Sequence, residues 1–180
     1  MIEPLFLRLE RAPSVIAAMT AVVSDEDARL KPPSGAWSIL EIVCHLVDEE
    51  TDDFRARISL TQVDPAAPWP GIDPEGWAAR REYQKQDIGA KVRAFAEERA
   101  SSVAWLRSLR EPDWHVAHNH PRIGPIRAGD LLCAWAAHDA LHMRQIAKRL
   151  YELAARDGET LGRATGGSPF VTRYAGEWGA

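Results

Sequence analysis

Only two cysteines, Cys44 and Cys133, occur in this chain of 180 residues, so no disulfide framework can brace it. Both fall in helical patterns flanked by apolar residues and read as small buried hydrophobes, without the CxxC spacing of a metal or redox site. Long apolar runs are missing too, since none approaches the ~20 residues of a membrane span. The opening "MIEPLFLRLERAPS" is too charged for a signal peptide, so the expectation is a cytoplasmic protein without membrane association. A basic surplus is absent: 22 Lys and Arg stand against 26 Asp and Glu, a net charge of −4. Phosphate binding needs the opposite balance, which argues against nucleic acid as a partner and for a small-molecule ligand. No internal repeat, low-complexity segment or alternating strand pattern appears.

What is present is helical periodicity in a chain long enough for one core, with 46% hydrophobic and 27% charged residues. Residues 12 to 23 suit a first helix, with Pro13 in its first turn. "LKPPSGAW" breaks it. Ser38 and Glu41 form a capping box for a second helix reaching about residue 60. The proline-rich "TQVDPAAPWPGIDPEG" reads as a crossover loop, followed by a short helical piece at 77–83. Residues 87 to 109 repeat apolar side chains at helical spacing, "EPDWHVAHNHPRIGPIRAGD" reads as loop, and a fourth helix covers 128 to 155. The expected fold is all-α: an antiparallel four-helix bundle over residues 1–157 with a long crossover loop, then an irregular Gly-rich tail over 158–180.

The chemistry concentrates in "HDALH". His138 and His142 lie four residues apart, one helical turn, and project from one face. Two histidines on a core-facing stripe need partners, because a buried polar group without a hydrogen bond is costly. A shared metal ion is one such partner; local hydrogen bonds are another. Taken alone the pair is common. His45, on the inner stripe of the second helix beside Ile42 and Leu46, adds the third imidazole that a three-His site in a bundle requires. Such a site leaves positions open to solvent or substrate, and Zn²⁺ or Ni²⁺ suits its ligands. A zinc-protease reading fails on Asp139, one methylene shorter than the glutamate that motif needs, and the further ligands of an HD phosphohydrolase are missing.

Around this core several residues are candidates for lesser roles. Glu49, four after His45, can orient that imidazole or act as general base. His120, just before the fourth helix, is expected at the mouth of the same pocket. His115 and His118 read as solvated loop residues, Asp52 and Asp53 as a solvated acidic face, and Asp139 as a hydrogen-bonding residue outside the ligand set.

"GAWSILEIVCHLVDEE" resembles the first signature of DinB-like proteins, W-[ST]-xxE-[IV]-xx-HL-xxxE. "HPRIGPIRAGDLLCAWAAHDALHMRQI" is similar to their second, H-P-x-x-G…LL…xxHDxxHxxQI, and order and separation agree over residues 10 to 155. One departure is "IRAGD", where a Ser or Thr commonly caps the last helix. The resemblance implies a four-helix bundle, often a homodimer, with one divalent metal held by His45, His138 and His142. It also implies activity as a transferase of a low-molecular-weight thiol, bacillithiol or similar, or as a mycothiol-dependent isomerase. In these the metal activates the thiol as thiolate. A hydrolase with metal-bound water and Glu49 as base is the alternative, and a non-enzymatic metal-binding bundle is the rival class.

Overall fold

A computed structural model of the chain describes residues 2–165 together with 175, 176 and 178. Its order is α1 (Glu3–Thr20), α2 (Asp25–Arg29), α3 (Ile39–Asp52), α4 (Phe54–Val63), α5 (Pro74–Arg80), α6 (Ile88–Ser108), β1 (Ala117–His120), β2 (Gly124–Arg127) and α7 (Ala128–Thr165). Helices α1, α3–α4, α6 and α7 make the bundle: α6 packs on α1 and α3, and α7 packs on α1 and α4. Among the described residues no helix is long and apolar enough to cross a membrane.

Two apolar clusters occupy the two ends of this bundle. One gathers Phe6, Leu9, Phe54, Ile58, Val103, Leu106, Leu132 and Trp135; the other gathers Ile16, Ile39, Ile42, Leu46, Phe95 and Ile146. Along α1 and α7 the chain runs from the first cluster to the second, and along α3–α4 and α6 it runs back. Because the neighbours α3 and α6 share a direction, residues 64–87 must return along the bundle, which is the crossover read from the prolines. Between the two clusters three of these helices place polar side chains: His45, Glu49 and Glu50 on α3, Arg99 on α6, and His138, Asp139 and His142 on α7.

The capping box forms as expected, with Ser38 Oγ accepting from the Glu41 N–H at 3.2 Å and Glu41 Oε2 accepting from the Ser38 N–H at 2.8 Å. Elsewhere the structure corrects the sequence reading. Helix α1 begins at Glu3, because Phe6, Leu9, Pro13, Ile16 and Thr20 continue one buried stripe, so Pro13 lies inside the helix. Proline lacks the N–H that would bond the carbonyl four residues back. That carbonyl, Leu9 O, instead accepts from Arg99 Nη1 at 3.0 Å. The second helix breaks at Asp53 (φ −121, ψ −92), giving α3 and α4. The expected loop around 115–127 contains an antiparallel hairpin, His118 opposite Ile126 and His120 opposite Gly124, with Gly124 at φ 81. Its four-residue strands, one holding Pro125, are too short to show alternation. Finally α7 continues to Thr165, past Gly158, and most of the expected tail lies outside the described residues.

Candidate metal centre

Helix α3 delivers His45 and α7 delivers His138 and His142 to one point between the apolar clusters. His138 Nε2 lies 3.3 Å from His45 Nε2 and 3.0 Å from His142 Nε2. The three candidate ligand atoms all fall within 4.8 Å of one another. His45 and His142 are buried, His138 half-buried. Trp37 packs on the His45 ring at 4.8 Å between centroids, and Phe54 meets His138 edge-on at 5.2 Å.

The outer nitrogens decide what the inner ones present. His142 Nδ1 is 2.8 Å from Gln145 Oε1, and His45 Nδ1 is 3.5 Å from Glu49 Oε1. Gln145 Oε1 accepts, so His142 Nδ1 carries the proton and its Nε2 turns a lone pair inward, whereas the His45–Glu49 contact misses the geometry of a hydrogen bond. Lone pairs converging in a buried space repel unless a cation sits among them. Ligand atoms around a tetrahedral ion at about 2.0–2.1 Å stand about 3.3 Å apart, close to the observed spacings. The donor set and its geometry therefore fit one divalent ion.

Burial, with smaller contributions from neighbouring imidazoles, holds His45 down to about 3 and His138 to about 2; His142 is lowered by burial against the opposing pull of Gln145. All three are neutral at neutral pH, the state metal ligation requires. Burial, reinforced by Asp53, pushes the Glu49 acid up to about 9. Asp53 Oδ1 lies 2.6 Å from Arg57 Nε, a contact of opposite charges whose angles miss those of a hydrogen bond.

The histidines open onto a cavity of about 740 Å³, walled by Trp37, Ile42 and Phe54 and lined further along α7 by Gln145, Lys148 and Arg149. Glu49 borders it behind His45. His120 does not: it lines a separate cavity of about 530 Å³ with Trp69 and His118, and its Nδ1 accepts from the Arg122 N–H at 3.2 Å. The hairpin carries it away from α7. His118 is buried rather than solvated, stacked on Trp69 at 4.3 Å and donating from Nδ1 to Pro65 O at 3.0 Å; His115 is exposed. Asp53 is buried as well, whereas Asp52 pairs with Arg81 at 2.9 Å near the surface.

Sequence reasoning missed the group beside the histidines. Arg99, 1% exposed, donates to Asp139 Oδ2 at 2.6 Å and Oδ1 at 2.8 Å, and to Glu50 Oε1 from Nε at 2.8 Å and Nη2 at 2.6 Å. Trp135 Nε1 adds a bond to the same Glu50 oxygen at 2.9 Å. A signal existed: Phe95, Arg99, Val103 and Leu106 follow one buried stripe of α6, placing the arginine among core positions. Asp139 thus faces away from the imidazoles and ties α7 to α6.

The family model of the DinB superfamily matches residues 8–146. The chain belongs to the DinB superfamily. The Bacillus subtilis (strain 168) protein named "Putative metal-dependent hydrolase YfiT" is 23% identical over 148 residues, 79% of this chain and 82% of that one. The solved structure of YfiT from Bacillus subtilis, described as "a probable metal-dependent hydrolase with an unusual four-helix bundle topology", superposes with a TM-score of 0.73. It covers 92% of this chain and 88% of YfiT at 18% identity, a likeness that speaks to the fold.

Proposed function

We propose that this DinB-superfamily chain is a metal-dependent enzyme that transfers a small thiol to an electrophilic compound, with His45, His138 and His142 holding one divalent ion. The observation that carries the reading is an open donor set. Three Nε2 atoms converge at a 740 Å³ cavity, and among the described residues no fourth His, Cys, Asp or Glu joins them. A purely structural site would be closed by a fourth protein ligand. A divalent ion there supplies Lewis acidity and lowers the pKa of a bound thiol or water.

The chain's own residues favour thiol over water. Activating water calls for a carboxylate free to take a proton at the reacting oxygen. Glu49 Oε1 instead faces the outer nitrogen of His45, Asp53 is engaged by Arg57, and Glu75 stands at the exposed rim. A thiol deprotonated at the ion needs no such base. Glu49 and Gln145 then orient His45 and His142, while Trp37 and Phe54 keep water from the rings' flanks. Hydrolysis is the second reading, favoured by the name borne by the YfiT relative.

Metal analysis of the purified chain and of His142→Ala tests the centre: near-stoichiometric metal is expected in the first and its loss in the second. Equal content in both would end the three-His model. The metal-loaded protein assayed with thiols and a generic electrophile, and separately with an activated ester and no thiol, then separates transfer from hydrolysis.

A further inference from the structure

Among the described residues two arginines are buried, and they are treated differently. Every nitrogen of Arg99 donates, to Glu50, Asp139 or Leu9 O. Arg149 has a side chain only 8% exposed, yet among the described residues its one ion pair is from Nη2 to Glu152 Oε1 at 3.0 Å, and Nη1 has no partner there. Glu152 is itself 36% exposed, so water weakens its hold on the guanidinium. A buried charged donor left unpaired costs more than a buried neutral one, and a fold that saturates Arg99 shows it can supply acceptors.

Position gives the unpaired donor a meaning. His138, His142, Gln145 and Arg149 follow one another at spacings of four, three and four, so they share a stripe of α7. All four line the cavity that contains the imidazoles. Arg149 sits seven residues beyond His142, about 10 Å along the helix axis, and helical side chains lean back toward the N-terminus. Lys148 adds a second positive charge at the exposed rim of the same cavity. The two cations therefore stand farther along α7 than the histidine triangle in one pocket, whose lining also includes apolar Trp37 and Ile42.

We infer that Arg149, assisted by Lys148, is a carboxylate-binding subsite, so that the molecule reaching the histidines is a small organic anion. A planar guanidinium edge matches a carboxylate in hydrogen-bond geometry as well as charge, and a turn of the side chain toward the cavity brings Nη1, closed off as it stands, to the ligand's acceptor. The inference rests on the reading of this cavity as a substrate site, but not on which reaction occurs there.

The test begins with metal-free protein, so that thiol chemistry plays no part. Succinate is titrated by calorimetry at constant ionic strength into the wild type, Arg149→Met and Lys148→Gln. Arg149→Met is expected to weaken succinate at least tenfold and Lys148→Gln a few-fold, with metal content after loading unchanged. Should Arg149→Met unfold, Arg149→Lys serves in its place, keeping the charge but losing the planar edge, with the same tenfold loss expected. Equal succinate affinity in wild type and a folded Arg149 variant overturns the subsite, as does absence of succinate binding by the wild type at millimolar concentration, or inorganic phosphate binding more tightly than succinate.

A second arm uses cobalt-loaded protein with 3-mercaptopropionate and 2-mercaptoethanol. The subsite predicts that Arg149→Met weakens only the thiol bearing the carboxylate. A cobalt–thiolate absorption band of equal affinity for both thiols, in wild type and variant alike, would sink the subsite while leaving the thiol reading intact. No band with either thiol, alongside Arg149-dependent succinate binding, would sink the thiol reading and leave the subsite standing.

Discussion

Two buried polar groups sit back to back across α7, and they are built on opposite principles. Asp139 points one way, into a closed cluster where Arg99 meets Glu50, Asp139, Leu9 O and the indole-bonded Glu50 oxygen. Its neighbour His138 points the other way, into a triangle of nitrogens that present lone pairs to one another. In the first group the charges are matched and every guanidinium nitrogen is bonded, with only Glu50 Oε2 lacking a partner among the described residues. The second is complete only with something added, and it opens onto the 740 Å³ cavity. Adjacent residues on one helix thus serve a stability role and a site role, and burial by itself does not tell them apart. Satisfaction of the hydrogen-bonding groups does.

The largest effect that separates the two groups comes from Arg99. Removing one partner of a buried ionic cluster leaves the remaining charges uncompensated, at a cost of about 3–5 kcal/mol. Arg99→Met is expected to lower unfolding stability by that amount in urea, because Glu50 and Asp139 are then stranded and Leu9 O loses the donor that replaces the Pro13 N–H. The combined change with Glu50→Gln and Asp139→Asn recovers much of the loss, since no charge stays buried alone. If Arg99→Met were as stable as the parent, the cluster would not be what holds α6 against α7. His142→Ala makes the reverse change: metal is lost, while the metal-free fold keeps its stability.

Acid provides the next largest contrast. The folded-state values of about 3 for His45 and about 2 for His138, with His142 also lowered, lie below the ~6.5 of an unfolded histidine. Below pH ~6.5 the unfolded chain therefore binds protons that the folded chain refuses. Stability is fully present above that pH and is lost as the pH falls toward the folded-state values, by up to about 1.4 kcal/mol per pH unit for each histidine. Arg99 adds no such slope: burial would lower its pKa, but Asp139 and Glu50 hold it above the ordinary value and it stays charged throughout. Urea titrations of metal-free protein between pH 7 and 5 should show the fall, and His142→Ala should flatten it. A pH-independent midpoint would contradict the buried neutral triangle.

How much of this was legible in the sequence follows from the same distinction. Apolar residues at helical spacing mark α3, α6 and most of α7, since burial on one face demands that period. The three histidines could be gathered because each sits on such a stripe. His120 could not be placed, because its position depends on a hairpin whose strands are too short to leave a pattern. Arg99 and Glu50 were overlooked because charge was read as exposure: "DEETDD" and "AEERASS" look like solvated faces, and only the positions of Glu50 and Arg99 on the inner stripes reveal otherwise. Asp53 misled in the same way. The N-terminal turns of α1 were missed since Pro13 reads as a starting residue, and its mid-helix place is tolerated only through a side chain 86 positions away.

The smallest expected effect is the most discriminating, because it concerns the one residue that links the triangle to the acids around it. Glu49 Oε1 faces His45 Nδ1 at 3.5 Å, and a group behind a ligating imidazole helps fix its ring. Losing such a partner costs about 10–100-fold in metal affinity. Glu49→Gln, which keeps the size and an acceptor oxygen but not the acid, is expected toward the lower end of that range, measured by competition with a chromophoric chelator. Asp139→Asn, adjacent to a ligand in sequence but turned toward Arg99, should weaken the metal by less than Glu49→Gln while destabilising the fold more. The reverse ranking would mean that the Arg99 cluster, and not Glu49, sets the position of the histidines, and the division between the two groups across α7 would fall.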